Sequence, residues 1–246
     1  MIEPAPIVAP IAEIERRLQW RALAIAGFIA LMVMLAVVAA VSVLVPPRLV
    51  TGLPDDADVT AASASVHARL PMRAGALRFR STLTGEAPPG AGFGVVETRL
   101  AERATLLLER ARARHRGDPR IEVALAHLDL ARQHHMLAER RYRAVTDRGV
   151  DSPEARLGLG VALALQANAE RDLLRARMLR LEAIAQFAAV DPRDSTIEPA
   201  LYDRALLLDQ VGRRSEALRT MREYAARDST GPWAGRLRQA LGIAGD

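Results

Sequence analysis

The sequence predicts an all-α protein with one N-terminal transmembrane helix followed by an α-solenoid. Ala, Leu and Arg dominate the 246 residues and aromatic residues make up only 4%, a composition that favours helices over sheets. Residues 22–45 carry no charge. Turn signals built from Gly, Asp and Pro then separate helical stretches that come in pairs. These observations predict about three helix pairs, closed by a capping helix.

Residues 22–45 are long enough to cross a bilayer. As a helix they would extend about 36 Å, against a hydrocarbon core of about 30 Å. The small residues Gly27, Ala36, Ala39 and Ala40 would let this helix pack closely against partner helices. A cleaved signal peptide is the alternative, but its apolar region is usually only about 7–15 residues long. We therefore expect an uncleaved anchor.

The charges beside this segment predict its orientation. Arg16, Arg17 and Arg21 precede it within the tail 1–21, whereas Arg48 alone follows closely. Positive residues favour the cytoplasmic side of a membrane. All 34 basic residues are arginine, as is typical of a GC-rich bacterial genome. We expect a single-pass protein of the bacterial inner membrane, with a cytoplasmic N-terminus and a periplasmic C-terminal domain.

Residues 46–96 are predicted to form a flexible or extended linker. They contain an aspartate cluster, an Ala/Ser run and a Gly/Pro-rich stretch, and only residues 76–83 alternate as a strand does. The linker is either a spacer between bilayer and domain, or a segment that becomes ordered on contact with a partner.

Residues 97–246 are predicted to form the helical domain. After a first helix, helix pairs begin at Pro119, at Pro153 and near Ile197. The interval between the two prolines is 34 residues, a period typical of stacked helix pairs. A short helix at 232–241 closes the chain.

The third pair carries the most specific motif. It places large apolar residues, small residues and a turn glycine at defined positions, namely Leu201, Tyr202, Ala205, Gly212, Ala217 and Tyr224. This pattern resembles the tetratricopeptide repeat (TPR) family, although Arg204 stands where leucine is usual. The resemblance implies a TPR-like solenoid with a concave groove, which is a generic scaffold for binding proteins.

Several kinds of chemistry are excluded or disfavoured. Without lysine or cysteine, the chain lacks the Walker lysine, the Schiff-base lysine and any thiolate ligand. His127, Asp129, His134 and His135 lie within nine residues but lack a further ligand at convincing spacing. The Gly158–Gly160 motif lies inside a helical pattern, which favours packing over nucleotide binding. We expect no catalytic residue, cofactor, metal, nucleic acid or small-molecule substrate.

The arginine cluster is the candidate partner-binding site; it consists of Arg110, Arg112, Arg114, Arg116 and Arg120. Its cations could bind an acidic partner or anionic lipid headgroups. Alternatively they are a solvated helix end, where cations are favourable.

Together these patterns predict a non-catalytic, membrane-anchored TPR scaffold. It would be an accessory, structural or assembly subunit of a larger bacterial membrane complex of the translocon, respiratory or photosynthetic type. Its partners would be the exported face of that integral membrane complex and the lipid bilayer. The alternative is a periplasmic chaperone or cofactor-assembly factor, as in cytochrome c maturation, which should have an apolar, peptide-sized groove.

Overall fold

The computed structural model describes residues 52–66, 77–81, 83, 85–86 and 98–243. None of the helices within these ranges is long and apolar enough to cross a membrane. The predicted anchor at 22–45, with its four small packing residues, lies outside the described ranges, as does the tail before it.

The described residues are helical apart from one small hairpin, which confirms the all-α prediction for this part of the chain. Helix α1 (Ala57–Val66) is followed by strands β1 (Arg80–Ser81) and β2 (Gly85–Glu86), which pair antiparallel. The remaining helices are α2 (Thr98–Arg114), α3 (Pro119–Ala131), α4 (His135–Thr146), α5 (Pro153–Ala169), α6 (Leu173–Ala188), α7 (Ile197–Gln210), α8 (Arg214–Ala225) and α9 (Pro232–Ala240).

Local capping chemistry explains where two of the first helices, α3 and α5, begin. The Asp118 carboxylate accepts a hydrogen bond from the backbone N–H of Arg120, 2.9 Å away, and Pro119 occupies the first helical position of α3. Ser152 caps α5 in the same way, through the N–H of Ala155 at 3.2 Å. Such caps satisfy backbone donors that the helix itself leaves unpaired.

The helices pack in consecutive pairs, α3–α4, α5–α6 and α7–α8, and α9 contacts the last pair. These are the three pairs and the closing helix that the sequence predicts. The structure adds a fourth pair, because α1 packs against α2. The domain therefore draws on chain that the sequence assigns to the linker.

Within the predicted linker 46–96, the described residues are folded against the helices, which corrects the expectation of a flexible spacer there. Val59, Ala62 and Val66 lie on one face of α1 and are buried with Leu108 of α2. Burial of this narrow apolar face stabilises a helix whose Ala/Ser-rich composition gives only a weak signal.

The guanidinium of Arg141 connects three helices, α2, α3 and α4, near the N-terminal end of the stack of helix pairs, which we call the array. Arg141 on α4 donates to Asp129 at 2.8 Å and to Glu122 at 3.2 Å, both on α3. It also lies 3.4 Å from Glu109 on α2. Since the network is half-buried, its carboxylates are screened less by water than surface ions are.

Two glycines in α5 allow the neighbouring helices to approach closely. A methyl group added at Gly158 would overlap the ring of Tyr142 on α4, and one at Gly160 would overlap the ring of Phe187 on α6. Both rings are fully buried. The Gly158–Gly160 motif is therefore explained by packing between helix pairs.

Candidate functional site

The first helices of the pairs are buried on nearly every side. In α3, every residue from Val123 to Ala131 is buried, and α5 and α7 are similarly enclosed. Residues 77–79, which we call the cis segment, contact two of these first helices. Phe79 meets His127 on α3, and the backbone of Arg78 binds Asp203 on α7.

Arg78 of the cis segment lies in a cage of acidic and aromatic side chains. Its guanidinium donates to the hydroxyl of Tyr224 at 3.0 Å and lies 3.5 Å from Glu198 and 3.9 Å from Asp228. Its central carbon is 5.8 Å from the ring centroids of both Tyr224 and Trp233. We call these four surrounding residues the arginine cage.

Hydrogen bonds within and beside the cage keep the Asp228 carboxylate charged and hold the backbone of Arg78 in place. Tyr224 donates its hydroxyl proton to Asp228 at 2.6 Å, and this bond lowers the pKa of Asp228. Burial, followed by the same hydrogen bond, raises the pKa of Tyr224, so its phenol stays neutral. Asp203, completely buried on α7, accepts the backbone N–H of Arg78 at 2.6 Å.

Phe79 of the cis segment contacts a different helix from Arg78, namely α3. Its ring is only 2% exposed and meets the imidazole of His127 edge-on, with centroids 5.2 Å apart. The ring of Tyr142 lies 5.8 Å beyond that imidazole. Burial lowers the pKa of His127 to about 3, so this histidine is a neutral aromatic contact.

The arginine cluster is partly neutralised by the chain's own carboxylates. Arg114 binds two aspartates that precede or begin α1, at 2.8 and 2.6 Å. Arg112 pairs with a glutamate and Arg120 with an aspartate, each at 2.7 Å. Among the described residues, Arg110 and Arg116 are the members of the cluster that form no ion pair. A partner-binding role for the cluster stays a prediction.

The residues that carry the repeat motif lie at helix interfaces. Five of them are buried, namely Leu201, Tyr202, Ala205, Ala217 and Tyr224. Gly212 follows α7 with a φ of +82°, a conformation that glycine adopts without steric cost. Tyr224 also belongs to the arginine cage, a role that the motif alone does not predict.

The histidine-rich stretch does not converge on one point. His127 lies between aromatic rings, whereas Asp129 is bound by Arg141. His134 is 4.0 Å from Asp129 at its nearest nitrogen. The described ranges contain no group of three or more metal-ligating side chains.

An exposed apolar surface on α6 is absent from the sequence predictions. Leu174, Met178 and Leu181 share one face of this helix and are 74%, 70% and 37% exposed; we call them the α6 stripe. Leu173, at 82%, lies beside them. The sequence does contain a signal for this surface: apolar residues occupy two faces of α6, whereas a helix on the surface of a protein needs only one apolar face.

A cleft of about 650 Å³ separates α6 from α4. Its lining includes Met136 and Arg140 from α4 and Arg175 and Leu179 from α6. The cleft therefore brings apolar and cationic groups together on α6, beside the face that carries the α6 stripe; none of the three stripe residues lines it.

Comparison with known proteins supports the fold. The structure is similar to the crystal structure of a thermophilic TPR protein in Thermus thermophilus, with a TM-score of 0.51. The described domain has a TPR-like fold. The two sequences are 20% identical over 59% of this chain and 76% of the other, so the similarity concerns the fold alone. No protein-family model and no curated protein sequence matches the chain.

Proposed function

We propose that the protein is a non-catalytic, membrane-anchored scaffold that binds another protein through the α6 stripe and the adjoining cleft. It acts as an accessory or assembly subunit of a larger bacterial membrane complex. The observation that carries this proposal is the α6 stripe, because large apolar side chains are exposed there at helical spacing on an otherwise well-packed array.

The stripe has the chemistry of a helix-binding surface. Full burial of a leucine or methionine side chain is worth about 1.5–3 kcal/mol, so covering three such residues provides a strong drive for association. Residues spaced by three and four positions meet a partner helix along one line. Arg171, Arg175 and Arg177, all exposed, flank the stripe, which favours a partner whose apolar face is bordered by acidic residues.

The proposed anchor at 22–45 would hold this surface near the membrane. Tethering to the same complex raises the effective concentration of the domain to about the millimolar range for a short linker. The partner would then be the exported face of an integral membrane complex. Arg110 and Arg116 remain available for its acidic groups or for lipid headgroups.

The test is affinity purification of the full chain from native membranes in mild detergent, followed by measurement of stoichiometry. We expect one defined complex at fixed ratio, and we expect Met178→Glu to abolish its recovery. Leu106→Glu is the matched control, because Leu106 on α2 is also 57% exposed but lies outside the stripe.

Two results would contradict the proposal. Retention of the complex by Met178→Glu would exclude the stripe as the binding surface. Recovery of many unrelated exported proteins in substoichiometric amounts would instead support the alternative, a periplasmic chaperone or cofactor-assembly factor. Protease accessibility of the C-terminal domain in intact spheroplasts would test the proposed periplasmic location separately.

A further inference from the structure

We propose that the arginine cage and the adjoining Phe79 pocket form a binding site for an extended peptide with an arginine followed by an aromatic residue. The cis segment occupies this site intramolecularly and blocks it. This site is separate from the α6 stripe, so the inference does not depend on the proposed function.

The cis segment contacts the array as a ligand does. It is neither helix nor strand at 77–79, and its contacts reach residues far along the chain. The Arg78 backbone binds Asp203, which is 125 positions away, and its guanidinium binds Tyr224, which is 146 positions away. Side chains of the array thus recognise both the backbone and the side chains of the segment, as in a protein–peptide complex.

The cage has the features of a site for arginine in particular. Two carboxylates, Glu198 and Asp228, lie near separate nitrogens of the guanidinium. Tyr224 and Trp233 place aromatic rings beside its planar group. Arginine combines a fixed fork of donors with a surface that contacts aromatic rings, whereas lysine is a compact, strongly hydrated point charge. The cage therefore predicts discrimination against lysine.

The two recognised side chains belong to adjacent residues and contact different helices. Arg78 reaches towards α7, α8 and α9, while Phe79 reaches His127 on α3. A partner peptide in the same conformation would satisfy both subsites with consecutive arginine and aromatic residues.

Occupation of the site by the cis segment lowers the apparent affinity of the site for a partner peptide. Because the segment belongs to the same chain, it competes at a high effective concentration. A free peptide should therefore bind the wild-type protein at least tenfold more weakly than a variant whose segment no longer occupies the site. Loss of the segment exposes the cage without altering any of its four residues.

The experiment uses the full chain and a fluorescent peptide with the sequence of residues 77–81. The double variant Arg78→Ala/Phe79→Ala should bind this peptide at least tenfold more tightly than wild type, as measured by fluorescence anisotropy. A peptide with lysine in place of its first arginine should bind at least tenfold more weakly. Arg80→Ala is the matched control, since Arg80 directly follows the cis segment in β1 and its replacement leaves both subsites occupied.

Hydrogen exchange on the wild-type chain tests the same inference without a substitution. If the segment leaves the site while the array stays folded, the amide of Arg78 should exchange at least tenfold faster than the buried amides of α5. Equal exchange rates would show that the segment opens only on global unfolding and would overturn the proposal. Absence of peptide binding to a folded double variant would overturn it as well, and if that variant does not fold, the exchange rates decide.

Discussion

The contact between α5 and its neighbours provides a quantitative test of the packing. In Gly158→Ala, the added methyl group overlaps the ring of Tyr142, which is fully buried and cannot move into solvent. Overpacking of a core costs about 1–3 kcal/mol. Alanine gains about 1 kcal/mol over glycine in a helix interior, so the net loss should lie between about 0 and 2 kcal/mol.

The assay is thermal and urea unfolding of the purified full chain, followed by far-ultraviolet circular dichroism, which reports helix content. For a chain of this size, each kcal/mol lowers the Tm by about 2–4 °C. Gly235→Ala is the matched control, because the methyl group meets no atom within 4 Å in α9. This control should be more stable than wild type by up to about 1 kcal/mol.

A double-mutant cycle identifies the cause. Replacing Tyr142 by leucine removes the overlapping ring, so Gly158→Ala should cost less in the Tyr142→Leu background than in wild type. If Gly158→Ala is as stable as the Gly235→Ala control, the close approach of α4 and α5 is not the constraint described here, and the reasoning fails.

Three further predictions concern other parts of the array. Arg141→Met should lower the free energy of unfolding in urea by about 1–3 kcal/mol, because three carboxylates lose their shared donor. His127 should contribute a loss of stability of about 1.4 kcal/mol per pH unit as the pH falls from about 6.5 to about 3, because its imidazole stays neutral in the folded protein and gains a proton on unfolding; His127→Leu should remove this contribution to the slope. Met178→Glu should change the unfolding free energy by less than about 0.5 kcal/mol, since its side chain is exposed.

Each of these has a clear contrary result. An unchanged urea midpoint for Arg141→Met would show that the network contributes nothing measurable. An identical pH slope in His127→Leu would assign the acid sensitivity to other groups. Unfolding of Met178→Glu would show that the α6 stripe belongs to the core.

Local chemistry explains which parts of the fold are predictable from the sequence. The helix pairs that begin at Pro119 and Pro153 follow from caps and apolar periodicity, which act within a few residues of each other. The repeat motif around Ala205 and Gly212 is likewise local. For these elements, the neighbouring residues alone favour the conformation that the structure has.

The folded part of the predicted linker depends on contacts at long range. Arg78 and Phe79 lie in a stretch that alternates weakly, and nothing nearby indicates that Asp203 or His127 will bind them. The arginine cluster was predicted from charge density, which does not reveal that an aspartate before α1 lies beside Arg114. The candidate sites in the structure therefore differ from those predicted from the sequence, because the structural sites are formed by residues that lie far apart in the chain.

Helix α9 has a consequence for assembly. Stacked helix pairs can in general continue indefinitely, since each pair offers a face to the next. Here α9 buries Trp233 and Leu237 against α7 and α8, so it covers the face that the last pair would offer to a further pair. Copies of this domain are thus discouraged from stacking end to end through this face.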